Sequence, residues 1–227
     1  MDKEIKIKKG DFIEISYLAK VHDTNLVFDL TDEEDAKTHG LYDKSRTYQP
    51  IIICVGKNDI LKGLDEELPG KEPGKSYTIT LQPEQAFGKK SSNMIKLVPT
   101  SLFHKQQINP VPGLQVNLDN IIGTIKSVSG GRTIVDFNHP LSSKIILYEI
   151  KILRIITSPK EKLEGFLAHV ITKYEVTIEN EKAIISSNIK EAHIKQELEK
   201  EILSRIPEII SISFEKLPEK VSSEHNK

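Results

Sequence analysis

The sequence contains one cysteine, no tryptophan and no long apolar run. Cys54 cannot form a disulfide within the chain, and its place in the apolar stretch IIICV favours a small core residue over a nucleophile. No stretch approaches the roughly 20 apolar residues of a membrane-spanning helix. The charged N-terminus lacks the apolar core of a signal peptide. We therefore expect a cytoplasmic protein with no membrane partner.

Neither sign of charge dominates the chain. Lysine and arginine number 32 and the acidic residues 33, so the formal net charge is −1. This balance argues against nucleic acid as a partner, because domains that bind it usually carry an excess of basic residues. With 227 residues, 37% of them hydrophobic, the chain can form one large domain or two to three small ones.

Residues 55–68, VGKNDILKGLDEEL, predict a short amphipathic helix. Asn58 or Asp59 can cap its start, and Pro69-Gly70 ends it. The apolar face comprises Ile60, Leu61, Leu64 and Leu68, and the polar face Lys62, Asp65, Glu66 and Glu67. A helix of about ten residues needs an apolar surface to pack against. Since β-rich runs flank it on both sides, we expect an α+β domain in which this helix crosses a mostly antiparallel sheet.

Two further strands carry the candidate polar groups. Residues 11–21 alternate between apolar and polar side chains, which places Tyr17 on the buried face. Residues 26–30 are apolar except for Asp29. An acid in such a run is either a functional carboxylate or the cap of a following helix, and the TDEE sequence after it resembles a helix start.

Residues 91–136 have the pattern of a separate small unit. Short strands are predicted at residues 93–99, 114–118, 121–128 and 132–135, with a helical turn capped by Thr100. So small a core is marginal, and apolar side chains left exposed would suit a site that grips unfolded chains.

His139 follows this unit and has no second histidine or cysteine at ligand spacing. A turn-stabilising hydrogen bond is therefore favoured over a metal or catalytic role for it.

Four motifs in order resemble the FKBP-type peptidyl-prolyl cis-trans isomerases. They are the Phe28-Asp29 pair, VGKNDILKGLDEEL, the AFG turn at residues 86–88 and NHPLSSK at residues 138–144, before a long strand at 145–156. Between the last two motifs, NMIKLVPTSLF and VPGLQV resemble the insert-in-flap chaperone domain of SlyD and archaeal members. The long tail, with no His/Cys-rich segment, resembles the long archaeal subgroup.

This resemblance implies a fold and a division of the chain. The fold is α+β: an FKBP-type antiparallel sheet wrapped on a short helix, with an inserted small β-rich domain and a C-terminal α/β unit. The isomerase domain would take residues 1–90 and 136–157, and the insert residues 91–135. A C-terminal α-β-β-α-β domain would take residues 158–217, with helices at 160–174 and 189–206, and a disordered tail would follow at 218–227. The C-terminal sheet could pack on the isomerase domain or on a second copy.

The resemblance also implies a site. Tyr17 and Asp29 would be the catalytic pair, with Asp29 near the carbonyl of the twisting bond. The pocket would be lined by Phe28, Ile60, Leu61, Leu64, Phe87 and Tyr148, and the N–H of Leu61 would bind a substrate carbonyl. Leu64 stands where many members have tryptophan, Phe87 where tyrosine is usual and Tyr148 where phenylalanine is usual. The chaperone surface would comprise Met94, Ile95, Leu97, Val98, Leu102 and Phe103.

The chemistry of this reaction fits a chain with no other catalytic constellation. Rotation about a peptide bond faces a barrier of about 18–20 kcal/mol, and no covalent bond is made or broken. An apolar pocket favours the twisted amide, so neither a metal nor a cofactor is expected. We expect a prolyl isomerase whose insert captures unfolded or proline-containing polypeptides. The alternative is a non-catalytic holdase or adaptor on the same scaffold, and for each pocket aliphatic the alternative is plain core packing.

Overall fold

The computed structural model describes residues 5–118 and 120–217. The predicted disordered tail at 218–227 lies outside them. The strands are β1 (Phe12–Val21), β2 (Val27–Leu30), β3 (Ile51–Cys54), β4 (Ser76–Leu81), β5 (Ile95–Pro99), β6 (Gln115–Leu118), β7 (Ile121–Ser129), β8 (Arg132–Asp136), β9 (Ile146–Ile156), β10 (Tyr174–Glu179), β11 (Lys182–Ser187) and β12 (Ser211–Lys216). The helices are α1 (Glu33–Thr38), α2 (Lys62–Glu66), α3 (Thr100–Lys105), α4 (Pro159–Val170) and α5 (Ala192–Arg205). The expected α+β class is confirmed.

The described chain divides into two compact units. The first contains residues 5–20, 27–79 and 148–217, and the second contains residues 21–26 and 80–147. In the first unit, the main sheet has the order β2-β1-β9-β4. A fifth strand, β3, pairs with β1 on the same edge as β2. β1 is long enough to pair antiparallel with β3 through its first half and with β2 through its second. Alternate β1 side chains, among them Ile13, Ile15 and Ala19, are fully buried.

The C-terminal segment of the first unit packs on β3. Its sheet has the order β10-β11-β12, antiparallel in the first pair and parallel in the second, with α4 and α5 completing the segment. One apolar core joins Phe12, Cys54 and Ile156 to Leu163 and Leu167 of α4. The expected α-β-β-α-β order is present.

The second unit contains an antiparallel sheet of order β5-β8-β7-β6. Its core is small and centres on four buried residues: Phe103, Val116, Ile125 and Val135. Because Gly123 has side-chain atoms of Val135 and Phe137 within 2.8 Å of where a Cβ would lie, this strand position admits no larger residue.

Several predicted details of the elements are wrong. The helix expected from Asn58 or Asp59 begins instead after Leu61, and Asp65, expected on its exposed face, is buried. Thr100 is the first residue of α3 and Pro99 takes the cap position; the Thr100 hydroxyl bonds instead to that of Thr133 at 3.0 Å. α4 ends at Val170 and α5 begins at Ala192, so both helices are shorter than their apolar periodicity suggests.

Two predictions about single residues are confirmed. Cys54 is a buried free thiol, and its burial raises the pKa of the thiol to about 11, which is unlike a nucleophile. His139 stabilises its turn, since its Nδ1 accepts the N–H of Leu141 at 3.2 Å.

Within the described residues, no helix combines the length and apolar character needed to cross a membrane.

Candidate active site

A cavity of about 300 Å³ lies within the first unit, beside the start of α2. Its walls come from β1, β2, β3, β9, α4 and the loop before α2. The lining residues are Tyr17, Asp29, Ile51, Asp59, Ile60, Leu61, Leu64, Tyr148 and His169. The structure therefore brings together six of the eight residues expected to form the catalytic pair and pocket.

Asp29 is the most strongly bound polar group of this cavity. Its Oδ2 accepts the Tyr17 hydroxyl at 2.8 Å, while its Oδ1 accepts the N–H of Leu30 at 3.0 Å and Nη2 of Arg46 at 2.7 Å. The alternative role as a helix cap is wrong, because Asp32 caps α1 by accepting the N–H of Asp35. The carboxylate is thus held in one orientation between a phenol and a guanidinium.

Two phenols flank this carboxylate. The rings of Tyr17 and Tyr148 meet edge to face, with 5.7 Å between their centroids. Burial, together with the nearby Asp29 carboxylate, raises the pKa of Tyr148 to about 12. The same causes, with the hydrogen bond to Asp29, raise the pKa of Tyr17 further. Both phenols therefore stay protonated at neutral pH and can donate hydrogen bonds.

The loop that carries Ile60 and Leu61 is fixed by two carboxylates. Asp65 of α2 accepts the N–H groups of Gly56 at 2.8 Å and Asn58 at 2.9 Å. Asp59 accepts the N–H of Cys54 at 2.8 Å and pairs with Arg205 of α5 at 2.6 Å. Because both carboxylates are committed to this loop, its two aliphatic side chains are presented to the cavity at fixed positions.

Leu64 provides an apolar wall from α2 and is 1% exposed. Two expected pocket residues lie elsewhere. Phe28 is half-buried in β2 and is not among the described residues that line the cavity. Phe87 belongs to the second unit, where its ring stacks on His139 with 4.6 Å between centroids and its carbonyl accepts the Ser142 hydroxyl at 3.1 Å.

Sequence reasoning missed three polar residues of this region. Arg46 lies in a polar loop that gave no sign of its pairing with Asp29. The sequence predicts only a possible helix-cap role for Asp59, which instead pairs with Arg205, 146 positions away. It places His169 in a separate C-terminal domain. In each case the contact joins distant parts of the chain, and no local motif reports it.

A second cavity, of about 590 Å³, lies in the second unit along β5 and α3. We name it the insert groove. It is lined by Met94, Lys96, Leu97, Val98, Pro99, Leu102, Gln106, Leu118, Ile121 and Phe137. Among the residues expected to form a chaperone surface, Leu97 is 56% exposed and Leu102 45%. Ile95 is also exposed but does not line the groove. Phe103 is completely buried, so its placement on that surface is wrong; it is a core residue of this small unit.

Among residues 5–118 and 120–217, no group of three or more His, Cys, Asp and Glu side chains has the arrangement of a metal site.

Comparison with known proteins shows the family of this chain. A model described as FKBP-type peptidyl-prolyl cis-trans isomerase matches residues 3–104, and one described as FKBP26, IF domain matches residues 96–141. A short-type peptidyl-prolyl cis-trans isomerase of Methanocaldococcus jannaschii is 32% identical over 146 residues, which span 64% of this chain and 92% of that protein. The chain belongs to the FKBP-type peptidyl-prolyl cis-trans isomerase family.

Bacterial members of the family are also similar to this FKBP-type chain. The isomerase SlyD of Haemophilus influenzae is 28% identical over 153 residues, covering 66% of this chain and 72% of that protein. A 16 kDa isomerase of Escherichia coli is 26% identical over 139 residues, covering 60% and 88% respectively. The predicted family and the predicted enzyme class, a peptidyl-prolyl cis-trans isomerase, are both confirmed.

Proposed function

We propose that the cavity at Asp29 is the prolyl site of this isomerase. The observation that carries the proposal is the Tyr17–Asp29–Arg46 arrangement in a cavity whose walls include the apolar side chains of Ile51, Ile60, Leu61 and Leu64. Placing a polar group beside aliphatic side chains costs desolvation free energy, so packing alone does not explain this arrangement. A carboxylate held in one orientation can instead interact with the amide of a bound substrate.

The proposed mechanism requires no covalent step. A planar peptide bond is stabilised by charge separation between nitrogen and oxygen, which an apolar cavity disfavours. The twisted form loses that separation, so the aliphatic walls favour it over the planar substrate. The Asp29 carboxylate, oriented by Tyr17 and Arg46, would lie near the twisting carbonyl, and the backbone N–H of Leu61 would anchor a neighbouring substrate carbonyl.

Cis/trans exchange of an Ala-Leu-Pro-Phe peptide tests this assignment. We expect Asp29→Ala to lower kcat/KM at least about tenfold, equivalent to about 1.4 kcal/mol of transition-state stabilisation. The matched control is Asp23→Ala, which removes an exposed carboxylate that pairs with the exposed His22. If a folded Asp29→Ala protein keeps full activity, the cavity is not the prolyl site.

We further propose that the insert groove binds unfolded or proline-containing polypeptides. Its exposed apolar side chains and its match to the IF domain support this role. Binding a client to the same chain that carries the prolyl site would raise the local substrate concentration to about the millimolar range. The enzyme would then accelerate proline-limited folding of proteins more than its activity on short peptides suggests.

Substitution in the groove separates capture from catalysis. Leu97→Ser/Leu102→Ser should slow catalysed refolding of a proline-limited protein several-fold while peptide exchange stays unchanged. Both side chains are exposed, so the fold should tolerate the change. Ile122→Ser is the control, because Ile122 is 65% exposed in the same unit but does not line the groove. Equal loss with the control would mean that the groove has no special role.

We also propose that the enzyme acts in the cytoplasm and associates with a second copy through its C-terminal segment. A buried free Cys54 supports a reducing compartment. Two edge strands, β10 and β12, and an apolar depression between α4 and α5 support the association.

A further inference from the structure

One wall of the prolyl cavity comes from the C-terminal segment, through His169 at the end of α4. We propose that His169 contacts the residue that precedes the substrate proline and favours a side chain that can donate a hydrogen bond. This inference rests on the assignment of the cavity as the prolyl site. It makes the C-terminal segment a part of the active site and a determinant of its sequence preference.

The contact that fixes His169 also determines what its ring can offer. Nε2 lies 2.7 Å from the carbonyl oxygen of Ile52 in β3. Because a carbonyl only accepts, Nε2 must carry the proton, and Nδ1 of the neutral ring then carries the lone pair. Among the described residues Nδ1 has no hydrogen-bond partner, and His169 is exposed to solvent. The ring can therefore accept one further hydrogen bond from a bound peptide.

The position of α4 is set by a close approach that only glycine permits. A Cβ on Gly165 would lie 2.6 Å from both Cβ and Cγ2 of Ile52. His169 follows one helical turn later on the same face, which places it over the same strand. Buried Leu163 and Leu167 of α4 extend this contact into the shared core. The helix that carries the imidazole is thus packed directly against β3.

The two carboxylates that line the cavity are already committed. Asp29 binds Tyr17, Leu30 and Arg46, and Asp59 binds the N–H of Cys54 and the Arg205 guanidinium. His169 differs from them, because its free ring nitrogen is available at the solvent side. A glutamine before the proline could donate its amide N–H to Nδ1, whereas a leucine could not.

The experiment compares Ala-Gln-Pro-Phe and Ala-Leu-Pro-Phe peptides with the full chain. His169→Ala should lower kcat/KM for the glutamine peptide about fivefold, as expected for one ordinary hydrogen bond, and for the leucine peptide less than twofold. His169→Gln should recover part of the preference, because an amide can donate to the Ile52 carbonyl and accept from the substrate. His193→Ala, at an exposed position of α5, is the control.

The outcomes separate this inference from the site on which it rests. If Asp29→Ala abolishes exchange of both peptides while His169→Ala and His169→Gln keep the wild-type ratio, the prolyl site stands and the role of His169 is overturned. If Asp29→Ala leaves both peptides unaffected, the site assignment itself fails. If His169→Ala lowers kcat/KM for both peptides equally, the His169→Gln variant decides the matter. A folded His169→Gln protein with the wild-type ratio of kcat/KM for the two peptides also overturns the proposal.

Discussion

At the scale of single residues, the proposed prolyl site contains an acid, Asp29, that its neighbours hold in one orientation. Asp29 retains about a third of its side-chain exposure, and Arg46 supplies the opposite charge at 2.7 Å. Surface ion pairs contribute little, but here the phenol of Tyr17 adds a second, directed hydrogen bond. The resulting orientation matters more for the geometry of the site than for its stability.

The buried phenols make the free energy of unfolding depend on pH in the alkaline range. In the folded chain the pKa of Tyr148 is about 12, against about 10 in an unfolded chain. The unfolded state therefore loses its proton first as the pH rises. The stabilisation is complete below about pH 10 and is lost as the pH rises towards 12, by up to about 2 kcal/mol.

Chemical denaturation of wild type and Tyr148→Phe between pH 9 and 12 measures this effect. The wild type should lose more stability over that range than the variant, because phenylalanine has no proton to lose. Tyr42→Phe, at an exposed phenol, should follow the wild type. Parallel curves for wild type and Tyr148→Phe would contradict the prediction.

Residue patterns predicted part of this site. Alternation in β1 placed Tyr17 on a buried face, and a lone acid in an apolar strand identified Asp29; the contact between them is seen at 2.8 Å. Arg46 could not be found in this way, because it lies 17 positions from Asp29 in a polar loop. Charged residues are common in such loops, and only the folded chain shows which of them turns inward.

At the scale of elements, the short helix α2 shows where periodicity misleads. The apolar spacing of residues 60–68 is helical, yet only Lys62–Glu66 form the helix. Asn58 adopts a positive φ of 57°, and Asp59 bonds to Cys54 and Arg205 instead of capping. The loop is stabilised by long-range contacts that compete with the helix start, and a local pattern cannot register them.

The Asp59–Arg205 pair joins α5 to the loop of the proposed prolyl site. Both side chains are 9% exposed, so removing one partner leaves a largely desolvated charge. Arg205→Met should therefore lower the free energy of unfolding by about 3 kcal/mol. Urea denaturation of the full chain measures it.

A double-mutant cycle completes this test. Asp59→Asn/Arg205→Met should be less destabilised than the sum of the two single variants, because neither charge is then left alone. Arg154→Met is a matched control, since Arg154 is half exposed in its pairs with Glu14 and Glu161. Strict additivity would show that the Asp59–Arg205 pair contributes no coupling energy.

At the scale of the whole molecule, the C-terminal segment was the part least accessible to sequence reasoning. Its element order followed from periodicity, since α4, α5 and the three strands have ordinary apolar patterns. Its packing on β3 depends on Gly165 and on a core that includes Phe12 and Cys54 of the first strands. A glycine inside a helix lowers the helix propensity of the segment and does not indicate which element packs against it. The contact between α4 and β3 is therefore visible only in the folded chain.

The same segment presents the surface through which we expect two copies to associate. The depression between α4 and α5, of about 750 Å³, includes Val170, 53% exposed, and Ile194, 37% exposed. Light scattering should give twice the mass of one chain, and Ile194→Glu should weaken the dimer at least about tenfold, because it replaces an apolar contact with an acid beside Glu191, Glu197 and Glu201. Val111→Glu, which alters an exposed apolar residue of the second unit, should leave the dimer intact. A wild-type monomer at all accessible concentrations, or equal weakening by both variants, would contradict this surface as the interface.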